Sequence, residues 1–190
     1  MTDSTFFKKN GYLVIPNFIE ENFFKFIKQY FYLRIMSGKA ELSDHQAPFG
    51  YSFYGDPLME TVLQCSTKKI SELCGIELSP TYSYTRLYKK GDELTCHKDR
   101  PECEISATIA LGNEGDLNSI YFSKDKENIS EIKLNPGDAC LYKGSELYHW
   151  RDPFTQEWYL QSFIHFVDKN GEYKESIYDG RPYLGMKSCK

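Results

Sequence analysis

The chain has 190 residues, 41% hydrophobic and 26% charged, and carries a formal net charge of −4. That length suits a single domain spanning residues 1–190 with a sizeable core. The acidic balance argues against nucleic acid as the main partner, because a phosphate backbone needs a clustered basic face and Lys68-Lys69 and Lys89-Lys90 are only pairs.

The start, Met1 to Thr5, is polar and reads as no secretion signal, and no apolar run reaches membrane-spanning length. Six scattered cysteines without a CxxC pair point to reduced thiols and a cytoplasmic protein, not to a disulfide framework or a cysteine zinc site. Gly11 to Pro16 predicts a short strand and turn. Asn17 to Met36 predicts a helix with a broad apolar stripe that includes Phe23, Phe26, Ile27, Phe31 and Leu33, ended by Gly38. Ser43 to Pro57 has no clear period and predicts a loop, either a lid or substrate wall or a plain packed connection. Pro57 to Cys74 predicts a second helix, closed by Gly75.

Beyond residue 80 the pattern changes to strands: Thr81–Tyr88, Glu104–Leu111, Ser119–Phe122, Ile129–Leu134, Ala139–Tyr142 and Trp158–Val167, with a turn at Asn135–Asp138. Aromatics make up 16% of the chain, which suits a β-rich core with a roomy, aromatic-lined interior. Helices first and short strands afterwards predict an α+β chain with a sandwich or barrel carrying the site. The tail from Asp168 is polar and predicts a surface wrap.

His97-Lys98-Asp99 is the central feature. Side chains two apart on a strand share a face, so one imidazole and one carboxylate can meet one metal ion. Two histidines and one carboxylate on one octahedral face are the pattern of non-haem Fe(II) oxygenases, with positions left open for co-substrate and O₂. The third ligand is expected to be His149, after a strand and a Gly144 turn, in preference to His165. A lone histidine in the apolar run Phe163–Val167 is more often a satisfied core or pocket residue than a ligand. His45 precedes the strands.

Tyr88, Gly91, His97/Asp99, Ser106/Thr108 and His149, with Asn135–Tyr142 before the distal histidine and Asn10–Phe18 at the start, resemble the 2-oxoglutarate/Fe(II) dioxygenase superfamily in its prolyl-hydroxylase-like branch. The resemblance covers most of residues 10–168. It implies a double-stranded β-helix (jelly-roll) core with N-terminal supporting helices. It also implies Fe(II), 2-oxoglutarate and O₂, with ascorbate as an optional addition, and hydroxylation of an amino acid or peptidyl residue such as proline. His97, Asp99 and His149 would then be the catalytic metal ligands.

One departure stands out. Members of this branch commonly carry Arg or Lys about ten residues beyond the distal histidine to grip the co-substrate's far carboxylate, a group that needs a cation or several donors. Here Glu157–Ser162 holds no basic residue. Period two offers Arg86, beside Tyr88 on one strand face, as a bidentate clamp, with Tyr88, Thr108, Tyr159 and Gln161 as further donors. Arg100, Glu104, Arg151 and Trp150 are candidates for the substrate side, each against a plainer reading: a rim ion pair for Arg100 and Glu104, orientation of the metal ligands for the arginines, and core packing for Trp150. Retention of Asp99 argues against a halogenase. The missing basic residue leaves open a cupin-like metal-binding sensor without turnover, and an oxygenase acting on another small molecule is a further alternative.

Overall fold

A computed structural model describes residues 2–42 and 47–186. Two antiparallel sheets and three helices account for most of it. Helix α1 (Asp3–Asn10) is capped by Thr2, whose hydroxyl accepts from Thr5 N, and it buries Phe7. The polar start of the chain hid this helix, since one buried residue in eight leaves no period to read. Strand β1 (Tyr12–Ile15) follows.

Helix α2 is Glu21–Met36, four residues shorter at its start than the sequence suggests. Asn17 adopts a left-handed φ of 50°, and its N–H donates to Asp138 Oδ1 at 2.9 Å, so residues 17–20 are held in a turn. The apolar stripe is also narrower than expected: Ile27 and Phe31 are buried, whereas Phe23, Phe26 and Leu33 are exposed. Strands β2 (Glu41–Leu42) and β3 (Tyr51–Tyr54) pair with each other. β3 corrects the expectation of a loop across this stretch, of which residues 43–46 lie outside the described residues. The backbone ladder to the next strand orders β3, and Phe53 with Tyr51 packs into the core on one face, an alternation too short to stand out from the surrounding sequence.

Helix α3 (Pro57–Cys74) agrees with the sequence reading. Asp56 caps it by accepting from Leu58 N, Pro57 occupies the first turn, and Gly75 closes it at φ 69°, a conformation that favours glycine. Met59, Val62, Leu63, Ile70 and Cys74 form its buried face.

The remaining strands are β4 (Leu78–Lys89), β5 (Leu94–His97), β6 (Ile105–Asn113), β7 (Ile120–Ser123), β8 (Ser130–Ile132), β9 (Ala139–Tyr142), β10 (Tyr148–Arg151) and β11 (Trp158–Asp168). The large sheet runs β1-β9-β6-β11-β4-β3-β2 and the small one β5-β10-β7-β8. Period two sorts the large sheet's side chains into two layers. Ile105, Ala107, Ile109 and Leu111, with Leu160, Ile164 and Phe166, pack against Phe31, Met59, Leu63 and Ile70 of the helices. Tyr88, Ala110, Cys140, Tyr142 and Tyr159 turn the other way and pack with Ile120, Phe122, Leu147 and Phe154. The site lies in this second layer.

The tail is more than a surface wrap. Arg181 is buried, and its Nη2 meets Glu60 Oε1 of α3 at 2.6 Å. No described helix is long and apolar enough to cross a membrane.

Candidate metal centre

His97 closes β5 and His149 lies on β10, and the antiparallel register makes them direct cross-strand partners with ring centroids 4.3 Å apart. The chain leaves β5 through Lys98 to Asp99, whose N–H is held by Gly144 O at 2.9 Å. Each histidine Nε2 lies 3.4 Å from the same Asp99 Oδ1. His97 Nδ1 is 2.7 Å from Thr95 O and His149 Nδ1 is 3.0 Å from Leu147 O. A carbonyl accepts from Nδ1–H, so both rings are fixed in the tautomer that turns the Nε2 lone pair toward Asp99. Metal–nitrogen bonds of about 2.0–2.1 Å place neighbouring octahedral donors about 3 Å apart, close to the spacing of these atoms. The donor set therefore fits a divalent metal such as Fe(II).

The electrostatics agree with a cation site. In the metal-free protein burial works to raise the Asp99 pKa, but hydrogen bonds from the Nε2–H of His149 and His97 in their protonated form outweigh it and hold the carboxylate well below its usual range; a metal cation would take the place of those protons. Burial alone would lower the pKa of His97; the Asp99 and Thr95 contacts reverse the direction and raise it.

Among the described residues a second group also converges, Asp99 with Cys103 and His165. It is the weaker candidate. Burial pushes the Cys103 thiol up to about 12, while a metal ligand needs the thiolate. Cys103 Sγ also lies 3.0 Å from Tyr82 OH, and His165 Nδ1 lies 2.8 Å from Ser106 Oγ. Ser106 Oγ is in turn 3.2 Å from Asp99 Oδ2. With the imidazole donating, the serine hydroxyl proton points at the Asp99 carboxylate. Ser106 and His165 thus orient Asp99, a role the sequence did not reveal, although Ser106 shares its strand face with Thr108. Tyr142, whose ring lies 4.9 Å from that of His149, was also missed, since its face becomes apparent only once β9 is paired with β6.

Burial lowers His165 to about 4, so it is neutral in the folded protein. The unfolded chain then binds more protons than the folded one between about pH 6.5 and 4, and stability must fall as pH falls through that window. For the metal-free protein, the loss attributable to His165 is expected to be about 2–3 kcal/mol. Urea unfolding at pH 7 and pH 4.5, with His165→Asn as comparator, measures it; equal pH slopes for the two proteins would contradict it.

The triad opens into a cavity of about 120 Å³ lined also by Tyr82, Tyr84, Arg86, Leu94, Tyr142, Phe163 and His165. Arg86 is buried, with Nη1 donating to Tyr88 OH at 3.5 Å and Nη2 to Tyr84 OH at 3.3 Å. Tyr88 stacks on Phe154, and Gln161 Nε2 donates to Thr108 Oγ1. Arg151 and Tyr159 are buried deeper in the same layer, the guanidinium 5.1 Å above the phenol ring.

The other predicted residues point elsewhere. Trp150 stacks on Tyr121 at 5.5 Å, because the residue between inward-facing His149 and Arg151 must face outward. Glu104 accepts from Asp168 N at 2.9 Å and ties two segments together. Arg100 reaches Asp179 at 3.1 Å and lies 4.8 Å above the Tyr82 ring, so it pairs with the tail and not with Glu104 or Asp99.

Gly144 has a packing reason to be glycine. A Cβ there would strike Cys103 O and Asp99 Oδ2 and lie 2.9 Å from Ser106 Oγ. Gly144→Ala is expected to weaken metal binding by about tenfold or more, the range seen when the support of a metal ligand is disturbed. Competition with a chelator measures this, and unchanged affinity would count against the placement of Asp99.

No family model matches the chain, and no curated protein matches it. Solved structures do match. A prolyl hydroxylase from Trichoplax adhaerens, in complex with a hypoxia-inducible-factor oxygen degradation domain peptide, gives a TM-score of 0.74 at 14% identity, covering 88% of each chain. A Pseudomonas putida prolyl-4-hydroxylase gives 0.71 at 13% identity over 86% of this chain and 96% of its own. The non-haem α-ketoglutarate-dependent carbocyclase SnoK from nogalamycin biosynthesis gives 0.71 at 11% identity over 87% and 83%. The antiparallel α+β fold described above is therefore the fold of 2-oxoglutarate/Fe(II) oxygenases, prolyl hydroxylases among them.

Proposed function

We propose that the chain is an Fe(II)- and 2-oxoglutarate-dependent dioxygenase that hydroxylates an amino acid or a peptidyl residue such as proline. One observation carries this reading: two imidazoles with Nδ1 tied to backbone carbonyls direct Nε2 at one carboxylate oxygen, at a cavity inside an oxygenase fold. We read the two sheets as a jelly roll and residues 1–190 as one cytoplasmic domain of this kind.

His97, Asp99 and His149 would hold the iron. When bound, iron and 2-oxoglutarate couple O₂ to oxidative decarboxylation, giving succinate, CO₂ and a hydroxylated substrate. The chain's own work is positional. Thr95 and Leu147 carbonyls orient the histidines, Ser106 steadies Asp99, and Tyr82, Tyr84 and Phe163 wall the cavity and limit water. The 2-oxoglutarate and peptide named in solved relatives support a carboxylate co-substrate and an amino-acid or peptide substrate here. A co-substrate dianion also needs positive charge in the interior, and Arg86 and Arg151 enter it from the two facing sheets.

The test is succinate formation from 2-oxoglutarate with Fe(II), with and without free amino acids and proline-containing peptides. Stimulated, iron-dependent succinate release is expected. Stoichiometric iron binding with no turnover under any condition would instead identify a metal-binding sensor.

A further inference from the structure

We propose that Arg151, with the Tyr159 hydroxyl beside it, binds the distal carboxylate of 2-oxoglutarate. This rests on the reading of the site as a 2-oxoglutarate oxygenase and assigns within it the group that grips the far end of the co-substrate.

Arg151 is 2% exposed. Nη1 donates to Asn118 O at 3.1 Å, but Nε and Nη2 are buried with no hydrogen-bond partner. Among the described residues no acidic side chain pairs with it. A buried guanidinium without a counter-charge is costly, and folded proteins satisfy such groups with an anion or further acceptors. Two unused donors of one guanidinium suit the two oxygens of a carboxylate.

The surroundings supply the rest. Tyr159 OH is buried and also unpartnered, and the Arg151 guanidinium lies over its ring at 5.1 Å. Burial raises the Tyr159 pKa although Arg151 works against this, so the phenol keeps its proton and can donate. Gln161, two residues along the same inward face of β11, has an unpartnered Oε1. Its amide end presents either oxygen or N–H according to how the group is turned. Three unsatisfied polar groups thus gather where the core is otherwise aromatic and aliphatic.

Position fits the length of the ligand. Arg151 follows His149 by two residues on the same inward face, a displacement of about 6–7 Å along the strand. A 2-oxo acid that chelates a metal through its C1 carboxylate and C2 keto oxygens extends its far carboxylate over a similar distance. Arg86 is the other interior cation, but its Nη groups already donate to Tyr84 and Tyr88.

The experiment is calorimetric titration of the Fe(II)-loaded protein, without oxygen, with 2-oxoglutarate and with 2-oxovalerate, which lacks the distal carboxylate. The wild type is expected to prefer 2-oxoglutarate by about a hundredfold, the scale of a buried charge-assisted pair. Arg151→Met should remove that preference by lowering 2-oxoglutarate affinity about a hundredfold with 2-oxovalerate unchanged. Tyr159→Phe should lose about fivefold, again only for 2-oxoglutarate. Arg86→Met should keep most of the preference. A folded Arg151→Met that still discriminates between the two acids overturns the proposal, the more so if Arg86→Met does not. If Arg151→Met fails to fold, Arg151→Lys decides: a preference reduced by about tenfold supports the assignment, and an unchanged one overturns it. Failure of the iron-loaded wild type to bind 2-oxoglutarate at all would overturn the dioxygenase reading and this assignment together.

Discussion

His149→Ala is expected to abolish iron binding, whereas His165→Ala retains it. Both histidines are buried near Asp99, so proximity alone does not separate them. Orientation does. His149 Nδ1 is taken by Leu147 O, and its Nε2 faces Asp99 Oδ1 at 3.4 Å. His165 has Nδ1 on Ser106 and is held neutral by burial. Loss of a direct ligand should exceed the roughly 10–100-fold effect of losing a supporting contact, so iron stoichiometry after dialysis should fall to background in His149→Ala. In His165→Ala the Ser106 hydroxyl loses its partner, and affinity should weaken within that 10–100-fold range. Full iron retention in His149→Ala, or complete loss only in His165→Ala, would shift the centre to Asp99, Cys103 and His165.

The largest stability effect is expected at the tail. Glu60 and Arg181 are both buried, 2.6 Å apart, and the same Arg181 Nη2 donates to Thr81 O at 3.1 Å. Gly185 N–H also donates to Glu60. Removing one member leaves the other charge buried and uncompensated, so Glu60→Ala should cost roughly 3–5 kcal/mol. Replacing both, as Glu60→Leu with Arg181→Met, should cost less than the sum of the single changes, because neither charge is then stranded. Urea denaturation of the two single variants and the double variant measures this. Additive losses would mean that the pair is not coupled, and a Glu60→Ala loss below about 1 kcal/mol would place it with ordinary surface bridges.

The missing basic residue after the distal histidine shows how far a one-dimensional reading reaches. The segment Glu157–Ser162 has no cation, and on sequence alone the search moves to Arg86, which shares a face with Tyr88. In three dimensions β10 packs across from β11, and Arg151 lies over Tyr159 itself. The two residues are eight apart in sequence and on facing sheets, and no periodicity within one strand can report that contact. Trp150 does not line the cavity, for a reason the same periodicity does contain: if His149 faces inward, its neighbour faces out.

What the sequence determined by itself is what depends on neighbours in the chain. Helix α3 lies between Asp56 and Gly75 because a cap, a first-turn proline and a left-handed terminus are local devices. β9 matches its expected bounds, and the inward faces of β4, β6 and β11 follow from alternation. What only the tertiary structure decided is what depends on register and on which layers meet. The pairing of His149 with His97, the support of Asp99 by Ser106, the left-handed turn of Asn17 on Asp138 and the burial of Arg181 on Glu60 each join distant parts of the chain. Such contacts are selected by packing, hydrogen bonding and charge in the assembled core, so they leave no period or motif in the segments that make them.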